Sequence, residues 1–165
     1  MRKARKFTSE DGVEAGDLLH CGEDHLSAAG YLFAASPSFY DSAGYLAHIG
    51  IELLLKSWLL EVAGEFPGTH SLSRLWSTLM NGHGAPALTD DESRLLTKLD
   101  QFETLRYPNR NALTEVGTED WEMIDAFWKK VRGWIPQSIG VPKGADKLVR
   151  KSGRVLMKKK RESNG

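Results

Sequence analysis

The most apolar stretch of the chain carries three polar side chains at four-residue steps, His48, Glu52 and Lys56. Residues four apart stack along one side of a helix, so these side chains would form a single row. A charge on such an element must be paired or must face a cleft, because an unpaired buried charge is costly. The spacing favours an ordinary Glu–Lys pair on a stripe that meets solvent, and a row facing a cleft is the alternative.

Two further segments carry groups that are suited to an anion. Thr69-His-Ser-Leu72 follows a loop with glycine and proline and would place His70 where a helix begins. Residues 105–111 hold two arginines, a tyrosine and two asparagines, which offer guanidinium forks and an aromatic ring for phosphate or a nucleotide. A capping histidine and a polar turn between helices are the alternative interpretations. The candidate ligand-binding residues are Glu52, Lys56, His70, Arg106, Tyr107, Asn109, Arg110 and Asn111.

A metal site is a third possible use of polar residues at helical spacing. His20, Cys21, Asp24 and His25 form two pairs one turn apart, but a site in a helical bundle also needs ligands from a second helix. His48 and Glu52 would be the obvious donors. The expectation is that these are surface residues and that no metal is bound. The sequence also lacks a glycine-rich phosphate loop, a zinc module built from cysteine pairs and a Ser-His-Asp order, so no cofactor is predicted.

The elements that must position these residues are predicted to be helical. Leucine occurs 21 times against 12 for valine plus isoleucine, a balance that favours helix, and no convincing alternating strand pattern is present. Periodicity and helix-ending residues predict five amphipathic helices in an antiparallel all-α bundle, at about 13–35, 39–63, 72–80, 89–106 and 118–134. The second helix is apolar around nearly its whole circumference, which predicts a central position. Thr89 and Glu92 form a predicted capping box.

Charge divides the chain into unlike parts although its net charge is zero. The bundle predicted over 7–136 has nine basic and twenty acidic residues, whereas residues 137–165 have nine basic and two acidic ones. An acidic body does not suit nucleic acid over its whole surface, because phosphate binding needs clustered cations. The basic C-terminal tail is predicted to be solvated, and a basic amphipathic helix is the alternative.

Length and cysteine usage set the class of protein. At 165 residues the chain suits one domain, and its single cysteine, Cys21, cannot form an intramolecular disulfide. The basic start is not followed by an apolar stretch, and the most apolar segment, Ile49 to Leu60, is too short and too charged to span a bilayer. A cytoplasmic protein without a membrane partner is predicted.

Four segments, in their order along the chain, resemble the HEPN family, the nucleotide-binding helical domains of higher eukaryotes and prokaryotes. They are Ala47-His-Ile-Gly-Ile-Glu-Leu-Leu-Leu-Lys56, Gly64 to Pro67, Thr69-His-Ser-Leu72 and Leu105-Arg-Tyr-Pro108. The resemblance covers roughly Ala15 to Trp134 and leaves the basic tail outside. It implies a bundle of four or five helices that often forms a homodimer, in agreement with the periodicity.

What the resemblance implies for activity depends on one histidine. Nuclease members of the family cut RNA without metal, using an arginine, a polar residue after it and a histidine four to six positions beyond the arginine. Here Arg110-Asn111 is followed by Glu115 where histidine would be needed, and Arg106 has no histidine at that spacing either. The resemblance therefore implies a non-catalytic module that binds a nucleotide, RNA or a protein partner. The alternative is a ribonuclease toxin paired with a nucleotidyltransferase-like protein, with His70 entering the site from another helix.

Overall fold

A computed structural model describes residues 5–102 and 116–139 of the chain. Its helices are α1 (Ala15–Ala35), α2 (Tyr40–Ala63), α3 (Leu72–His83), α4 (Asp90–Phe102) and α5 (Thr118–Trp134), and its strands are β1 (Lys6–Thr8) and β2 (Glu65–Pro67). The all-α bundle of five helices is thus confirmed. None of the helices in the described ranges is long and apolar enough to cross a membrane.

Helix α2 lies at the centre and packs against the other four helices. It crosses α1 closely because a glycine stands on each helix at the crossing point. A Cβ atom added to Gly22 would lie 2.9 Å from the carbonyl oxygen of Gly50, and one added to Gly50 would lie 2.6 Å from Leu26 Cγ. The prediction of a central helix surrounded on several sides is confirmed.

The described helix ends follow the sequence signals except at the end of α3, and the predicted end of the fourth helix near residue 106 lies outside the described residues. Thr89 and Glu92 make the predicted capping box: the Thr89 amide donates to Glu92 Oε2 at 2.8 Å and the Glu92 amide to Thr89 Oγ1 at 3.2 Å. Helix α3 continues past Asn81-Gly82 to His83, and it ends at Gly84, whose φ of 74° is the left-handed conformation that glycine adopts without strain.

A two-stranded antiparallel ribbon was not expected from the sequence. Strand β1 pairs with β2 so that Phe7 lies opposite Phe66, and the two rings stack with centroids 5.5 Å apart. The Gly68 amide donates to the Arg5 carbonyl oxygen at 2.7 Å, which extends the pairing past β2. Three-residue strands separated by more than fifty residues leave no periodic pattern, so only the folded chain brings them together.

Candidate functional site

The row of polar residues on α2 is buried. His48, Glu52 and Lys56 are exposed by only 2%, 6% and 7% of their surfaces. The expectation of a solvent-facing Glu–Lys pair is therefore wrong, because α2 is covered on all sides and has no stripe left for solvent at these positions. We call His48, Glu52, Lys56 and His70, which contacts Glu52, the Glu52 cluster.

Glu52 is the shared acceptor of this cluster. Lys56 Nζ donates to Glu52 Oε1 as an ion pair. His70 Nδ1 lies 3.2 Å from both carboxylate oxygens, and His48 Nε2 lies 3.5 Å from Oε2. The row on α2 is thus joined to the loop that leads into α3, a contact that the spacing along one helix could not reveal.

Burial and neighbouring donor groups shift the pKa of the Glu52 carboxyl in opposite directions. Removal from water alone would raise its pKa, because the charged form loses hydration. The contact with the His48 imidazole, the hydrogen bond from Lys56 and the charges of Lys56 and His70 outweigh this effect and lower the pKa of Glu52 from 4.5 to about 2. The carboxylate is therefore ionised at neutral pH, and it holds its donors in place.

His48 ties the cluster to α4. Its Nδ1 lies 2.9 Å from the Leu99 carbonyl oxygen, and since a carbonyl can only accept, Nδ1 carries the proton of this bond. This hydrogen bond places the last turns of α4 beside the cluster. The sequence places His48 in the row and among the possible metal donors, and neither interpretation predicts this bond to α4.

Asp100 is a residue of the candidate site that sequence reasoning missed. Its carboxylate accepts from the backbone amides of Leu72 and Ser73, at 2.5 and 3.2 Å, and from the hydroxyls of Ser71 and Ser73, at 3.1 and 2.8 Å. It satisfies amides at the start of α3 that have no partner within the helix. Its negative charge is also stabilised by the positive end of the α3 dipole. The end of α4 is thereby joined to the turn that carries His70. No spacing in the sequence pairs residue 100 with residue 72.

The ribbon closes the Lys56 end of the cluster. Lys56 Nζ lies 5.4 Å from the centroid of the buried Phe66 ring, within the range of a cation–π contact. Phe66 is in turn covered by Phe7 of β1. The Phe66 ring, backed by Phe7, therefore covers the Lys56 end of the cluster.

His70 is where the cluster reaches solvent. Its side chain is 58% exposed, whereas the Glu52 side chain that holds it is only 8% exposed. The Nδ1 atom faces Glu52, and Nε2 has no partner among the described residues. A buried carboxylate that accepts from one ring nitrogen orients the imidazole and leaves the other nitrogen for a ligand or a proton.

The remaining predicted ligand-binding residues lie outside the described residues. These are Arg106, Tyr107, Asn109, Arg110 and Asn111, and Glu115 lies there as well. The described part of α4 ends at Phe102, beside the Asp100 contacts with the start of α3. Their membership in the site, and the basic tail beyond residue 139, stay predictions.

The possible metal ligands on α1 are not joined by ligands from a second helix among the described residues. Within 5–102 and 116–139, no three His, Cys, Asp or Glu side chains are grouped so that they could hold a metal ion. His20 Nε2 lies 3.5 Å from Asp24 on its own helix, while His48 and Glu52 belong to the buried cluster. Cys21 is a free, exposed thiol.

Comparison with known proteins gives one match. The family model described as the HEPN domain matches residues 15–137, from the first residue of α1 to just beyond α5. No significant match was found among the curated proteins or among the solved structures. The matched span contains the whole Glu52 cluster, and it excludes β1 and most of the basic tail.

Proposed function

Because the chain belongs to the HEPN domain family, we propose that it is a non-catalytic helical module whose ligand is a nucleotide or RNA, bound through phosphate where His70 reaches the surface. The predicted arginine segment, Arg106 to Asn111, would contribute the remaining contacts. A protein partner recognised at the same corner is the other ligand class that the family resemblance implies.

The observation that carries this proposal is the pair formed by exposed His70 and buried Glu52. Glu52 accepts from Nδ1 and is itself held by Lys56, so the imidazole ring is fixed before any ligand arrives. When the ring is protonated, Nε2–H can donate a charge-assisted hydrogen bond to a phosphate oxygen. A preorganised donor loses little conformational entropy on binding, which favours affinity.

Titration of the full chain with ATP and with a short single-stranded RNA tests the proposal. Loss of one charge-assisted hydrogen bond costs roughly 1.5–3 kcal/mol, so His70→Ala is expected to weaken binding about tenfold or more. His20→Ala is the matched control, because His20 is also exposed and also contacts a carboxylate. If neither ligand changes the melting temperature or the NMR spectrum, the proposal fails.

The arginine segment is tested in the same titrations. Arg106→Ala and Arg110→Ala are expected to weaken phosphate binding by a similar factor, since guanidinium forks pair with phosphate oxygens. Arg94→Ala is the control, because Arg94 is exposed and pairs with Asp91 on α4. Equal affinities for all three variants would exclude the segment from the site.

Metal-independent RNA cleavage is the second candidate function, and the orientation of His70 by Glu52 favours it. A carboxylate-oriented imidazole can transfer a proton near neutral pH, as general acid–base catalysis requires. Cleavage of RNA in the presence of a chelator, lost in His70→Ala and retained in His20→Ala, would establish this activity. Intact RNA after incubation with the wild-type chain would exclude it and leave the binding function.

Oligomeric state and partner belong to the same proposal. The family resemblance implies a homodimer and, for a toxin, a nucleotidyltransferase-like protein that neutralises it. Light scattering of the purified chain measures the first, and a nucleotidyltransferase gene beside the coding gene would support the second. A monomer at all accessible concentrations would remove the dimer from the proposal.

A further inference from the structure

A pocket lies between α3 and α4. Its volume is about 340 Å³, within the roughly 300–1,000 Å³ that small-molecule sites occupy. Trp76 and Leu96 supply apolar surface, and Ser73, Ser77, Ser93 and Thr97 supply hydroxyl groups. No charged side chain of the described residues lines it, so the part of a ligand that fits here must be neutral.

The hydroxyl groups leave both donors and acceptors for a ligand. Ser77 Oγ donates to the Ser73 carbonyl at 2.8 Å and Thr97 Oγ1 donates to the Ser93 carbonyl at 2.9 Å. Each hydroxyl donates its single proton to its own helix and keeps its oxygen lone pairs as acceptors. The Ser93 hydroxyl has no hydrogen-bond partner within the described residues, so it can donate.

Trp76 forms a rigid part of the pocket wall. The residue is 2% exposed and packs against Trp58, Phe127 and Trp134, yet its indole N–H has no acceptor among the described residues. A buried donor without a partner costs roughly 1–3 kcal/mol, and most native proteins avoid it. The indole ring lines the pocket, while its nitrogen lies beneath the surface.

From these features we infer that the α3–α4 pocket is a subsite for a nucleobase. A nucleobase is flat, neutral and rich in hydrogen-bond donors and acceptors, which suits an apolar wall with four hydroxyl groups. The inference rests on the proposed function, because it assigns the base of the ligand whose phosphate contacts His70.

The α3–α4 pocket and the proposed phosphate site at His70 meet at the first turn of α3. Ser73 lines the pocket and donates to Asp100, which also accepts from Ser71, the residue after His70. One nucleotide could therefore place its base between α3 and α4 and its phosphate at the start of α3. The Asp100 carboxylate joins the two sites, because it accepts from Ser71 and from Ser73.

Titration of the ¹⁵N-labelled full chain with the four common ribonucleosides tests the inference separately from the phosphate site. A nucleoside is expected to bind saturably and to shift the Trp76 indole N–H resonance, identified by its disappearance in Trp76→Phe. Ser77→Trp fills the pocket and is expected to weaken nucleoside binding at least about tenfold. Thr78→Trp is the control, because Thr78 is the adjacent exposed residue of α3 and does not line the pocket.

Pyrophosphate, which has no base, separates this inference from the proposed function. Pyrophosphate binding by both the wild type and Ser77→Trp, with no nucleoside binding by the wild type, would overturn the subsite and leave the phosphate site standing. Nucleoside binding that leaves the Trp76 resonance unmoved, or that survives in Ser77→Trp, would also overturn it. Nucleoside binding without pyrophosphate binding would support the subsite and count against the phosphate contact at His70.

Discussion

Two histidine–carboxylate pairs in this chain have the same spacing and the same distance but opposite surroundings. In both His20–Asp24 on α1 and His48–Glu52 on α2, the residues are four apart and a carboxylate oxygen lies 3.5 Å from Nε2. The α1 side chains are 55% and 68% exposed, whereas those on α2 are 2% and 8% exposed. The α1 pair remains local, while the buried pair recruits Lys56, Leu99 and His70. Spacing alone therefore does not distinguish a surface pair from an organising cluster.

Removing the carboxylate charge from each pair should give the largest difference in the free energy of unfolding. Glu52→Gln leaves Lys56 buried without its counter-ion, and breaking a buried pair from one side typically costs about 3–5 kcal/mol. Asp24→Asn on the surface is expected to change stability by less than about 0.5 kcal/mol. Urea unfolding of both variants measures the difference, and equal losses would show that burial does not set the strength of these pairs.

Lowering the pH should remove the stabilising contribution of the buried Glu52 carboxylate without a mutation. The pKa of Glu52 is about 2 in the folded chain and 4.5 in the reference state, so its stabilising contribution is complete above about pH 5 and is lost as the pH falls toward 2. The loss is on the order of 3 kcal/mol. Glu92, whose pKa is also lowered, acts in the same direction because it accepts from Lys130 and Thr89.

Unfolding free energies measured between pH 6 and pH 3 check this prediction. The wild type should lose stability steeply over that interval, and Glu52→Gln should lose less because its amide does not titrate. Parallel curves for the two proteins would mean that the Glu52 carboxyl titrates alike in the folded and unfolded chain.

Asp100 extends the comparison to two aspartates of α4. Asp100→Ala removes the acceptor of four donors at the start of α3 and is expected to cost about 2 kcal/mol, the upper range for loss of a helix cap. Asp91→Ala removes only an exposed pair with Arg94 and should cost less than about 0.5 kcal/mol. Hydrogen exchange should show faster exchange of the first α3 amides in Asp100→Ala, and unchanged exchange there would contradict the capping role.

The smallest effect on stability is expected at His70. Its exposed side chain contributes about 0–1 kcal/mol through Glu52, so thermal unfolding of His70→Ala should resemble that of His20→Ala. The two variants should differ in ligand binding instead. A large destabilisation in His70→Ala would identify the residue as a structural support of the cluster.

Much of the fold could be predicted because helical periodicity and end signals are local. The five helices, the central place of α2 and the capping box at Thr89 follow from apolar spacing and from side chains within a few residues of each other. The β1–β2 ribbon and the Asp100 cap could not be predicted, because each joins segments far apart in sequence. The ribbon pairs backbone groups that any residue carries, and the partners of the Asp100 carboxylate are set only by the packing of α4 against the start of α3.

For the candidate site, the sequence identified Glu52, Lys56 and His70 as residues to examine, and it placed the first two in one row. Only the tertiary structure decided that the row is buried, that His70 joins it, and that Leu99 and Asp100 bring the end of α4 beside it. The physical reason is that helical spacing determines which side chains are neighbours on one helix. Whether those neighbours meet water or another helix depends on how the whole apolar surface of the bundle packs.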